Sequence, residues 1–182
     1  MQDFQLALSE AEKAFIKKLV YWVIAHQLGQ SLDKPVLESE TLHKELGAFV
    51  TLKKNGQLRG CIGHVVGQGP LVATLERMAQ AAAFSDPRFP PVTAQELPDL
   101  EIEVSIMGPL TLCPDPDLIE IGRHGLYIRK SIHSGLLLPQ VALEQGWDRE
   151  TFLDHTCLKA GIPKGSWRKP KVELWWFEAV IF

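Results

Sequence analysis

Phe49-Val50-Thr51-Leu52-Lys53-Lys54-Asn55-Gly56-Gln57-Leu58-Arg59-Gly60-Cys61-Ile62-Gly63 is the stretch that decides the fold. Two apolar, β-prone runs, Phe49 to Leu52 and Leu58 to Ile62, flank Asn55-Gly56. Asn-Gly fills both central positions of a tight turn that needs φ > 0, so the stretch predicts an antiparallel hairpin. Outward from it, Leu100 to Ile106 alternates apolar and polar residues. Leu100, Ile102, Val104 and Ile106 share one face, and Glu101, Glu103 and Ser105 share the other, as in a half-buried strand. That strand is expected to continue after Gly108-Pro109 into Leu110 to Cys113. Leu126 to Arg129 with Gly135 to Leu138 predicts a second hairpin, and Val172 to Phe182 a closing strand.

Helices fill the intervals. Ser9 and Glu12 have capping-box spacing, and Ala14, Phe15, Leu19, Trp22 and Val23 recur at helical spacing, so Glu10 to Leu28 reads as an amphipathic helix. A short helix or turn is expected around Ser39 to Leu46. Pro70 suits a helix start and Leu71 to Phe84 fits one. Pro139 to Glu144 and Asp148 to Ala160 read as helical, with Gly161 as terminator. Ser85 to Pro91 carries three prolines and reads as irregular. Strands in hairpins with helices between them predict an α+β fold with a mainly antiparallel sheet.

With 182 residues, 46% hydrophobic and 23% charged, the chain has ordinary globular usage and suits one domain, or one with two lobes. A net charge of −3 supplies no global basic field, so general nucleic-acid binding is not expected, although a local basic patch is compatible with it. Cys61, Cys113 and Cys157 are odd in number and lack CxxC spacing, which argues against a disulfide framework and a zinc knuckle. Met1-Gln2-Asp3-Phe4 lacks a signal-peptide pattern, and Leu19 to Ala25 is about a third of a bilayer span. The expectation is a cytoplasmic protein without a membrane segment.

The sharpest chemical constellation is Leu58-Arg59-Gly60-Cys61-Ile62-Gly63-His64. Strand alternation puts Arg59 and Cys61 on one face, where a guanidinium favours a thiolate. Gly60 and Gly63 leave room for backbone or ligand to approach. The plainer reading is a buried small hydrophobe in a tight strand. Gly63 to Gly69 matches neither a Walker A loop nor a dinucleotide fingerprint and reads as a turn. Asp86-Pro87-Arg88-Phe89 offers Arg88 to an anionic substrate, or else pairs Arg88 internally with Asp86. His64 and His124 are candidate proton shuttles or ordinary surface and capping residues, and no metal-ligand motif is present. Glu101 and Glu103 read as salt-bridge partners across the sheet; a Glu103 beside Cys61 would oppose Arg59. Trp175-Trp176-Phe177 reads as core and edge cover. No GxSxG motif is present, and the residues name no cofactor.

Leu58 to Gly63 resembles the signature hexapeptide of the AMMECR-one family. Gly47 to Leu52, Asp86 to Phe89, Leu100 to Ser105, Ile121 to Leu126 and Gly135 to Ala142 are similar to further family blocks in family order, across about residues 9 to 182. Arg123 stands where Lys is also usual. The resemblance implies an α+β fold with a larger and a smaller lobe, the hexapeptide lying near a cleft between them. It also implies a partnership, because prokaryotic members are component A of the AmmeMemoRadiSam set, beside a Memo-like protein resembling extradiol dioxygenases and a radical SAM protein. It implies no agreed reaction. Two function classes follow. One is an enzyme or enzyme subunit with Cys61 as nucleophile or redox group, Arg59 activating it, and Arg88, Gly60, Gly63, His64, His124, Asp86 and Glu103 around the substrate. The other is a non-catalytic binding or scaffold module in which the hexapeptide packs or docks.

Overall fold

The computed structural model describes residues 6–182; the leader reading of Met1 to Phe4 lies outside them. In chain order the elements are α1 (Glu10–Gln27), α2 (Glu40–His43), β1 (Gly47–Lys54), β2 (Gln57–His64), α3 (Leu71–Phe84), β3 (Leu100–Met107), β4 (Thr111–Leu112), β5 (Gly125–Lys130), β6 (His133–Leu137), α4 (Pro139–Glu144), α5 (Arg149–Lys159), β7 (Glu173–Phe177) and β8 (Ala179–Ile181). They form two four-stranded sheets, β2-β1-β3-β8 and β4-β7-β5-β6. The fold is α+β. The chain divides into two compact units, the first running to Met107 and regaining Val180–Phe182, the second being Gly108–Ala179.

In the first unit, α1 opens on the capping box. Ser9 Oγ accepts the Glu12 N–H at 3.2 Å and Glu12 Oε2 accepts the Ser9 N–H at 2.8 Å. The Ser39 hydroxyl, at the cap of α2, donates to the same carboxylate. That bond, with those from Ser9, holds the Glu12 carboxyl down at about 2 from 4.5. Asn55 and Gly56 take φ of 53° and 72° between β1 and β2, the backbone that the hairpin signal requires. Ala48, Val50, Leu52, Val104 and Ile106 are fully buried. They pack with Ile16, Leu19, Val20 and Ile24 of α1 and Leu71, Leu75 and Ala79 of α3. The turn Val65 to Pro70 ends where the Leu71 N–H, at the start of α3, donates to the Lys44 carbonyl at 2.9 Å.

In the second unit, β5 and β6 form the expected hairpin between β7 and the sheet edge. Phe152, Leu153 and Cys157 of α5 are buried with Leu126, Ile128, Leu174 and Trp176. Asp148 caps α5 by accepting the Thr151 N–H at 2.8 Å, and Gly161 takes φ of 73° just past its end.

Two expectations are corrected. The segment after Gly108-Pro109 does not extend β3; Thr111 and Leu112 pair with Trp176 and Trp175 in the other sheet. The closing segment is two strands rather than one. β7 pairs with β5 and β4, whereas β8 lies beside β3, where Val104 and Phe182 exchange both backbone bonds at 2.9 and 3.1 Å. The break falls at Glu178, whose carbonyl takes the Gly108 N–H at 2.8 Å. Local alternation is the same on both sides of each break; partner choice is made by residues far away in sequence. No described helix is long and apolar enough to cross a membrane.

Candidate functional site

The site is built on β2, the edge strand beside β1. Register runs Lys54 opposite Gln57 and Lys53 opposite Leu58, then skips to Leu52 opposite Gly60 and Thr51 opposite Cys61. Arg59 therefore faces no residue of β1; it is the extra residue of a β-bulge, a feature that re-aims a side chain. Thr51 in turn lies opposite Glu103. Cys61, Thr51 and Glu103 form a row on the face opposite buried Val50 and Leu52. The Thr51 hydroxyl donates to Cys61 Sγ at 3.2 Å, and Cys61 is half-buried. Thr51 separates Glu103 from the sulfur. Glu103 takes Lys53 Nζ at 2.8 Å, and Glu101 accepts the Gly56 N–H at 3.1 Å.

An edge strand leaves backbone groups unpaired. At Cys61, Asp86 and Arg88 supply what a neighbouring strand would. Asp86 Oδ2 accepts the Cys61 N–H at 2.9 Å, and Arg88 Nη2 donates to the Cys61 carbonyl at 3.2 Å. Arg88 is aimed by Asp86, which accepts from Nη2 at 2.7 Å, from Nε at 3.0 Å and from the Arg88 N–H at 3.1 Å. The Asp86 side chain is 2% exposed and that of Arg88 is 52% exposed. The Arg88 hydrogen bonds hold the Asp86 carboxyl well below the usual carboxylate range, against burial, which pushes it up. The same contact raises Arg88.

Alternation places Arg59 beside the thiol, but the guanidinium goes elsewhere. Nε and Nη2 donate to the two oxygens of Glu96 at 2.9 and 3.1 Å, and Nη2 to the Pro91 carbonyl at 3.3 Å. Glu96 also accepts the Thr93 N–H at 3.0 Å and hydroxyl at 3.1 Å. Arg59 above all, with Thr93, brings its carboxyl to about 2 from 4.5. Gly60 and Gly63 are filled from within the unit. A Cβ at Gly60 would strike the Ala82 carbonyl of α3, and one at Gly63 the Phe49 ring. His64, the last residue of β2, is exposed and lies opposite Ala48 of β1.

His124 belongs to the second unit. It is buried, its Nδ1 accepts the Glu120 N–H at 3.0 Å, and its ring stacks on Trp176 at 4.4 Å. Burial, with Arg123 nearby, pushes its pKa down. Trp176 and Phe177 are buried as cover. Burial raises the thiols of Cys113 and Cys157, and all three cysteines are free. No cluster of His, Cys, Asp and Glu among the described residues is arranged to hold a metal ion.

The structure thus joins Cys61, Asp86 and Arg88, and keeps Arg59 and Glu103 in separate ion pairs. Two contributors escaped the sequence reading. Thr93-Ala94-Gln95-Glu96 has capping-box spacing, a signal that pointed to Glu96. Thr51 was reachable only through the register, which the bulge shifts by one.

Known proteins set this geometry in a family. A solved structure described as that of uncharacterised protein PH0010 from Pyrococcus horikoshii superposes with a TM-score of 0.83 at 39% identity, over 92% of this chain and 88% of that one. Protein MK0488 of Methanopyrus kandleri is 43% identical over 98% of this chain and 90% of its own length. Protein TK0174 of Thermococcus kodakarensis is 46% identical over 83% of this chain and 78% of its own length. The AMMECR1 family model matches residues 18–182, a span that takes in the clamped cysteine strand and both sheets. The chain belongs to the AMMECR1 family.

Proposed function

We propose that this chain is a non-catalytic binding subunit in a reducing cytoplasm. In it the Cys61 strand is a rigid contact surface for a Memo-like or radical SAM protein, the partners that the family resemblance implies. The engagement of Arg59 carries this reading. Its guanidinium is neutralised by both oxygens of Glu96, so the cation that sequence alternation offers the sulfur is spent on folding. Arg88 is likewise committed to Asp86 and to the Cys61 backbone. Gly60 and Gly63 serve close packing. What remains outward on the strand is a fixed backbone and a half-buried thiol held by a hydroxyl, features suited to recognition.

The test is association of the purified chain with a Memo-like protein, beside alkylation of Cys61 by iodoacetamide. Cys61→Ser is expected to retain the complex and Thr51→Arg, which puts bulk and charge in the middle of the row, to abolish it. Alkylation is expected to proceed at one rate in wild type and Arg59→Ala. Catalysis at Cys61 is the competing reading, favoured by a sulfur that is not sealed in hydrocarbon. It prevails if Arg59→Ala slows alkylation about tenfold or more, as loss of an activating cation would, or if Cys61→Ser abolishes a turnover of the complex.

A further inference from the structure

Between His155 and Val172 the second unit carries Lys159, Lys164, Arg168, Lys169 and Lys171 and no aspartate or glutamate. All five cations are exposed. Elsewhere in the molecule basic side chains are mostly matched: Lys13 with Glu10, Lys34 with Glu76, Lys53 with Glu103, Arg123 with Glu120 and Glu178, and Arg129 with Glu173. Here Arg168 alone has an acidic partner, Glu150 at 2.7 Å. Lys159, Lys164, Lys169 and Lys171 have none among the described residues.

The segment is built as a platform. Asp154 of α5 accepts the Gly165 N–H at 2.7 Å and the Trp167 Nε1–H at 3.0 Å through one oxygen, so this carboxylate holds the loop in place. Ile162 and Ser166 are buried, and Ser166–Arg168 form a 3₁₀ turn. Arg168 lies over the Trp167 ring at 3.8 Å. Pro163 and Pro170 fix φ on either side. Ile162 is buried beneath the segment, whereas the four lysines are exposed. A backbone already ordered before contact lowers the entropy lost on binding.

From this arrangement we infer that the Lys159–Lys171 face is a second interaction surface, which takes a short acidic segment of a partner protein. Charge complementarity selects the chemistry, since four unmatched ammonium groups attract carboxylates. The rest of the chain selects the length. Its net charge is −3, so a long polyanion such as RNA would lay its remaining phosphates against a chain of its own sign, whereas a short acidic peptide need engage only the lysines. This surface stands whether or not the reading of the Cys61 strand does.

The experiment measures binding of a fluorescent oligoglutamate peptide at low salt, with an oligothymidylate of equal charge as competitor. The variant is Lys164→Glu, Lys169→Glu and Lys171→Glu together. The control is Lys17→Glu, Lys18→Glu and Lys44→Glu, an equal change of charge in the other unit. Thermal melting shows that both fold; should the triple charge reversal not fold, Lys→Gln at the same three positions replaces it. The platform variant is expected to weaken the peptide about tenfold or more, and the control by less than about twofold. No measurable binding, an equal loss in the control, or tighter binding of the oligothymidylate than of the peptide overturns the inference.

Discussion

At Glu96 a single carboxylate ties together segments that are distant in sequence. It accepts from Arg59 on β2 and from Thr93 in its own loop, with Lys54 Nζ at 3.6 Å. Its folded pKa of about 2 lies below the unfolded 4.5. A depressed carboxyl contributes stability that is fully present above the unfolded value and is lost as pH falls through the folded one. Glu12 acts over the same range, and Asp86 starts lower, from 3.8 downward. Stability of the wild type, measured by urea unfolding across pH, is therefore expected to fall steeply between about pH 4.5 and 2. Glu96→Gln is expected to lose about 1–2 kcal/mol at neutral pH, as charge-assisted hydrogen bonds become neutral ones. Its slope over the acid window is then shallower than that of the wild type. Parallel curves would mean that Glu96 is no better held in the folded chain than in the unfolded one. Glu96 went unread although its spacing from Thr93 carried a signal, and its bond to Arg59 had none, because nothing in the local spacing announces a bulge.

The hairpin of β1 and β2 shows how far an element can be read from its residues. Asn55-Gly56 fixed its existence, its turn and the first two pairs. Counting outward in unbroken register would put Thr51 opposite Gly60, whereas the bulge at Arg59 puts it opposite Cys61. That one-residue shift gives the sulfur its hydroxyl partner and turns the guanidinium toward Glu96. Beside the bulge, Gly60 packs its backbone against the Ala82 carbonyl of α3, a contact distant in sequence. The same contact explains a glycine that alternation alone offers to a ligand. Gly60→Ala is expected to destabilise the chain by about 1–3 kcal/mol in urea, because backbone must move to admit the methyl. Gly56→Ala, at a turn φ of 72° with open space around it, acts by strain alone and should cost about 1 kcal/mol. The decisive reading is the amide exchange of Cys61, whose N–H is held by Asp86. It should speed up in Gly60→Ala by more than loss of global stability explains. An unchanged ratio of local to global exchange would separate the packing at Gly60 from the clamp at Cys61.

Across the whole molecule the sequence shows its strands but not their assignment to two sheets. Leu100 to Cys113 and Val172 to Phe182 each look continuous, and each is divided close to where the chain passes between units, β3 from β4 after Met107 and β7 from β8 at Glu178. Alternating residues satisfy either sheet, so the choice rests on pairings between residues far apart in sequence, Thr111 with Trp176 and Val104 with Phe182. Val104 with Phe182 is the pairing that returns the C-terminal residues to the first unit. Phe182 adds its ring to the first core and lies under Lys17 Nζ at 5.8 Å. Removing Val180–Phe182 strips β3 of its outer neighbour and leaves the Val104 N–H and carbonyl without partners. The expected loss is about 2–4 kcal/mol, from two backbone hydrogen bonds and a partly buried aromatic side chain. Hydrogen exchange reads it directly. The Val104 amide should lose protection relative to the amides of β5 and β7, whose ladder lies wholly within Gly108–Ala179. Full retention of Val104 protection in the truncated chain would show that β3 is held by β1 and the helices alone, and that the final crossing contributes nothing to the first sheet.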